Sequence, residues 1–131
     1  MTLKRILMLA AIVEILTGFA LIGIPMRVVE LLLGVWAPWT SIWIGRIAGV
    51  ALLSLGVACW PGSDSGPQPA AWRGMLVYNA LAAACFVYLV TVGKIGGILI
   101  WPAAVAHGVI ALALVWTRRS STATGARPSG G

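Results

Sequence analysis

KRILMLAAIVEILTGFALIGIP, residues 4–25, decides the fold. An apolar run of this length crosses the roughly 30 Å hydrocarbon core of a bilayer as one helix. Lys4 and Arg5 bound it at one end, and Gly23 and Pro25 at the other. Glu14 lies inside it, in a chain with only two other acidic residues, Glu30 and Asp64. A carboxylate at that depth is expensive and normally has a partner.

Working outward, three more runs have the same character. They are TSIWIGRIAGVALLSLGVACW (40–60), an alanine-rich stretch over 73–92, and ILIWPAAVAHGVIALALVW (98–116). The 131 residues are 60% hydrophobic and only 9% charged, where a soluble domain carries about a quarter charged. The reading is an all-α integral membrane four-helix bundle, with spans over 4–24, 39–60, 73–92 and 97–117. Residues 1–117 form one membrane domain, and 118–131 (ending in SSTATGARPSGG) form a disordered cytoplasmic tail. The basic start of the first span resembles a signal peptide. Its length, Glu14 and the three spans that follow argue that it is retained.

MRVVELLLGVW, 26–36, is too short to cross a bilayer and has apolar positions at helical spacing. It is expected as a short interfacial helix between the first two spans, with Arg27 and Glu30 paired on its wet side. Trp36, Trp39, Trp43, Trp60, Trp72 and Trp101 fall at span ends and read as interfacial anchors. The linker GSDSGPQPAAW, 62–72, reads as irregular backbone in water.

The formal charge is +6. With four spans, Lys4, Arg5, Arg73, Arg118, Arg119 and Arg127 share one side, while Arg27 and Lys94 lie on the other with Arg46 near them. That asymmetry predicts a multi-pass protein with both termini in the cytoplasm. The basic residues read as topology signals and lipid contacts. There is no basic face with interleaved aromatics, so nucleic acid is not expected as a partner.

Three polar residues interrupt apolar runs: Glu14, Arg46 and His107. Arg46 can reach inward toward Glu14 or snorkel outward to headgroups; the simplest electrostatic arrangement pairs it with Glu14 and adds His107 by a hydrogen bond, clustering the first, second and fourth spans. Asn79, Tyr78 and Tyr88 on the third span are further buried-polar or ligand-binding candidates. Two readings stand side by side. Either the group is an internal pair that fixes packing, or it holds the head of a quinone, lipid or other small ligand, or relays protons. His107 is the sole histidine, so one protomer cannot supply two histidines to a haem. Cys59 and Cys85 lack metal-site spacing, and no metal site is expected. No nucleotide-binding, metallohydrolase or catalytic-triad pattern is present, so catalytic residues are not assigned. Gly45 with Gly49, Ala80 with Ala84, and Ala104 with Gly108 have the spacing that lets helices approach closely.

VEILTGFALIGIPMRVVELLLG (13–34), RIAGVALLSLGVACWPG (46–62) and YNALAAACFVYLVTVGKIGGILIWPAAVAHGVIALAL (78–114) resemble a group of small four-helix bacterial inner-membrane proteins without an assigned activity. More distantly they resemble the DoxX-type membrane proteins, some of which accompany quinone-linked oxidoreductases. The resemblance implies an accessory role, respiratory or redox, in the bacterial cytoplasmic membrane. It carries over no catalytic residue. The expectation is a non-catalytic accessory or assembly subunit, surrounded by lipid and bound to a larger complex or to copies of itself. The alternatives are a small quinone-, lipid- or haem-binding protein and a homo-oligomeric channel or transporter component.

Overall fold

A computed structural model describes residues 2–36, 38–61 and 69–125, with side chains described to Arg118. Five helices follow in order: α1 (Leu3–Gly23), α2 (Pro25–Leu33), α3 (Ser41–Ala58), α4 (Pro69–Thr91) and α5 (Ile100–Gly125). Four of them, α1, α3, α4 and α5 over Ile100–Arg118, are long and apolar enough to cross a membrane. The protein is an all-α, multi-pass membrane protein with a short helix between its first two spans.

The helix ends follow local chemistry. Pro25 opens α2, where its missing N–H and fixed φ cost nothing. Gly34 closes it in the left-handed conformation, φ 68°, with its N–H on the Glu30 carbonyl at 2.8 Å. At nine residues α2 cannot cross a bilayer. Arg27 Nη1 donates to Glu30 Oε2 at 3.1 Å, the pair expected from their spacing. Both side chains are exposed enough that it stabilises α2 only slightly. The turn before the last span docks on α2: Gly97 N–H donates to Leu32 O and Leu99 N–H to Leu31 O, at 2.8 and 2.9 Å. A Cβ on Gly97 would fall on the Leu31 carbonyl, so only glycine allows the approach.

The spans are arranged as two pairs. α1 packs along α3, and α4 packs along α5, while α1 makes sparser contact with α4 and α5. The α1–α3 seam is built from small residues. A Cβ on Gly49 would lie 2.7 Å from the Gly18 carbonyl oxygen, and one on Gly56 would lie 2.9 Å from that of Ala11. Gly45 faces Pro25 instead. The other small-residue patterns behave differently. Ala80 and Ala84 are exposed, and nothing lies within 4 Å of a Cβ on Gly108.

The apolar core lies toward the N-terminal end of α1. Ile6, Leu7, Ala10 and Ala11 meet Cys59 at the end of α3, Met75 early in α4 and Leu114 late in α5. Trp72, expected as a lipid anchor, is half-buried and donates its Nε1–H to the Leu114 carbonyl at 2.9 Å, with Arg118 over its ring. It fastens α4 to α5. The structure also continues α5 to Gly125, where irregular chain is expected from 118. Residues 126–131, the rest of the expected tail, and 62–68, which include Asp64, lie outside the described residues.

Candidate functional site: a polar cluster inside the membrane span

Glu14, Asn79 and His107 each sit in the middle third of a span, on α1, α4 and α5. Helical periodicity explains why Glu14 points inward. Ala10, Ala11 and Gly18 share its face, each one turn away, and all are buried. Glu14 itself is 0% exposed. Neither of its carboxylate oxygens has a hydrogen-bond partner among the described residues. The Tyr78 hydroxyl lies within electrostatic reach of the carboxylate, short of hydrogen-bond geometry. Cys59 borders the same region.

Beside this orphan carboxyl is a satisfied pair. Asn79 is fully buried and donates Nδ2–H to the Met75 carbonyl one turn back, at 2.8 Å. Its Oδ1 is therefore free to accept, and His107 Nδ1 lies 2.8 Å from it. That arrangement places a proton on Nδ1 and leaves Nε2 as an acceptor in the neutral ring. Tyr78 meets the imidazole edge-on, with centroids 5.6 Å apart, and Phe86 tilts against it at 5.7 Å. The rings hold the imidazole in place, and the Asn79 bond sets its tautomer.

The expected Glu14–Arg46 pair does not form. Gly45 and Gly49 turn toward α1 and α2, so Arg46, one residue from Gly45 and about 100° around the helix, turns outward. Arg46 is exposed, and its guanidinium stacks on Trp43 with 5.2 Å to the ring centroid. The cluster therefore joins α1, α4 and α5 rather than α1, α3 and α5. Tyr88 is also outside it, 59% exposed on the outer surface of α4. Of the expected anchors, Trp36, Trp39, Trp43, Trp60 and Trp101 are exposed. Trp116, at the end of the fourth apolar run, is exposed as well. The sequence reading names Asn79 but does not pair it with His107. The two lie on consecutive antiparallel spans at matching depth, which is the signal that could have joined them.

The separation of Glu14 from Arg46 has a thermodynamic consequence. Glu14→Gln and Arg46→Met should have additive effects on unfolding free energy, within about 0.5 kcal/mol. A double-mutant cycle by reversible denaturation in mixed micelles checks this. A coupling above about 1 kcal/mol would restore the direct pair.

Chemically, the cluster offers one carboxyl group needing a donor, a phenol hydroxyl, and an imidazole oriented by an amide. Among the described residues there is no group of three His, Cys, Asp or Glu side chains arranged to hold a metal. No family model, curated protein or solved structure matches the chain.

Proposed function

We propose that this protein holds the hydrogen-bonding head of a small membrane-dissolved molecule of the quinone class at the Glu14–Tyr78–Asn79–His107 cluster. The observation that carries this reading is the Glu14 carboxyl, buried at mid-span with neither oxygen in hydrogen-bond geometry with any of the described residues. A buried polar group is ordinarily satisfied, and an unsatisfied one needs an explanation. A quinol hydroxyl would supply the donor that the carboxyl lacks, and the Tyr78 hydroxyl can donate to a quinone carbonyl. The cluster also lies where α1 meets α4 and α5, the more sparsely packed junction between the two pairs. Opening there for an apolar molecule disturbs the fewest contacts.

A role inside a larger assembly is compatible with one further feature. α3 packs on α1 and α2 and leaves most of its remaining surface uncovered, including Trp43, Ile44, Ile47, Val50 and Val57. A non-catalytic accessory subunit of a bacterial redox complex would place that face against lipid or another subunit. In this reading the protein sits in the cytoplasmic membrane with both termini inside, as the distribution of basic residues favours.

The test is binding of a short-tailed benzoquinol, kept reduced, to the purified protein, read by fluorescence quenching, beside native mass spectra of the protein extracted in mild detergent. Binding should be saturable and should weaken at least tenfold in both Glu14→Gln and His107→Ala, since each removes a group from the proposed contact. Unchanged affinity in both variants would sink the quinone reading. A larger complex in the spectra would support the accessory role, and a protein that runs only as a homo-oligomer would count against it.

A further inference from the structure

A second feature lies apart from the polar cluster, at the end of the bundle where α2 meets the start of α3. A pocket of about 480 Å³ opens there, within the roughly 300–1,000 Å³ range typical of ligand clefts. Pro25, Ile42, Trp39 and Trp43 contribute to its walls, and Arg27 and Arg46 both line it. Trp39 and Trp43 are 81% and 65% exposed, as side chains at a membrane boundary would be. The lining thus combines apolar walls with two arginines.

The charge arrangement selects the occupant. Arg27 shares one hydrogen bond with Glu30, which leaves most of its five N–H donors uncommitted to that pair. Arg46 is engaged through its face by Trp43, an interaction that leaves the in-plane donors of a guanidinium usable. Two guanidinium groups against one carboxylate give the pocket a net positive charge. Arg46 lies five residues into α3 from Ser41, about 7–8 Å below its start, near the level where lipid headgroups join their chains. Guanidinium pairs recognise phosphate oxygens by shape as well as charge. These residues also sit on the membrane side opposite Lys4 and Arg5, the side that is otherwise poor in cations.

We propose that the Arg27–Arg46 pocket binds the phosphate of an anionic phospholipid, with Trp39, Trp43 and Ile42 against the upper part of its chains. The site is independent of the Glu14 cluster, so failure of either reading leaves the other standing.

Native mass spectrometry tests this directly. The intact protein is titrated in detergent with phosphatidylglycerol, phosphatidylcholine or inorganic phosphate, and lipid adducts are counted. Phosphatidylglycerol should be retained in preference to phosphatidylcholine. Adduct occupancy should fall on the order of tenfold or more in the Arg27→Gln, Arg46→Gln double variant, because each basic contact contributes to anionic-lipid binding. The Lys4→Gln, Arg5→Gln variant should keep its phosphatidylglycerol. An Arg27→Lys, Arg46→Lys variant, which keeps the charge, should keep a substantial part as well, separating lost binding from lost folding. Equal retention of the two lipids, or full retention of phosphatidylglycerol by the glutamine variant, overturns the proposal. So does equal loss in the lysine and glutamine variants. Displacement of the lipid by millimolar inorganic phosphate would assign the pocket to a free anion instead.

Discussion

Replacing Gly49 with leucine should force α1 and α3 apart and cost more than about 3 kcal/mol of stability. A Cβ at this position already lies 2.7 Å from the Gly18 carbonyl oxygen and 2.9 Å from Leu21 Cβ. The first of these contacts is backbone, so no side-chain rotation relieves it. The facing glycine is equally constrained, since a Cβ on Gly18 would lie 2.8 Å from both the Gly49 carbonyl oxygen and the Leu53 nitrogen. Apolar burial offers little compensation inside a bilayer, where lipid chains are as apolar as leucine. Close packing across this seam is therefore a main source of its stability. Gly108→Leu is the matched control, because its Cβ would meet nothing within 4 Å. It should not destabilise, and the loss of a glycine inside α5 should raise stability by up to about 1 kcal/mol. Reversible unfolding in mixed micelles reads both variants. Near-equal stability of the two would show that the glycine seam is not what joins these helices.

The second large effect has the opposite sign. Glu14→Met should stabilise the protein by about 1–3 kcal/mol, the usual cost of a buried polar group without a partner. Methionine is close in length and flexible enough to fill the same space. Only the loose approach of the Tyr78 hydroxyl is lost, because no partner of Glu14 among the described residues meets hydrogen-bond geometry. Glu14→Ala, by contrast, would leave a cavity among Ala10, Ala11 and the α4 side chains, and should forfeit much of that gain. The same unfolding measurement decides the matter. A loss of more than about 1 kcal/mol in Glu14→Met would mean that the carboxyl is satisfied after all, for example by an ordered water. A more stable variant that no longer binds quinone would show a functional group retained at the expense of stability.

How much of this was legible in the sequence differs by level. Span number follows from run length and hydropathy, and the α2 segment from a run too short to cross. The Arg27–Glu30 pair follows from helical spacing alone. Glu14 was recognisable as buried because a lone carboxylate in an apolar run has few other stable positions. Its surroundings were not, because they depend on the rotation of each helix about its axis, and membrane spans that are apolar on every side carry weak rotational information. Charge complementarity therefore suggested Arg46. The glycine spacing contained the contrary signal: once Gly45 and Gly49 face the neighbouring helices, Arg46 must turn outward. Gly18 and Gly56 completed the seam but escaped notice, since neither belongs to a four-residue small-residue pair on its own span. The small pairs that looked similar, such as Ala80 with Ala84, ended on the outer surface. Spacing alone does not distinguish a helix contact from a lipid contact.

The two-pair arrangement also bears on how the chain is made. Of the five helices, α1 emerges from the ribosome before the others, and its closest partner, α3, follows soon after. The residues that surround Glu14 on the other side belong to α4 and α5, which are synthesised after both. During biogenesis the carboxyl must therefore wait in the membrane, beside the growing α1–α3 hairpin, until the second hairpin arrives to enclose it. A chain halted before α4 would leave that carboxyl facing lipid or the insertion machinery, a feature by which quality control could recognise an unfinished molecule.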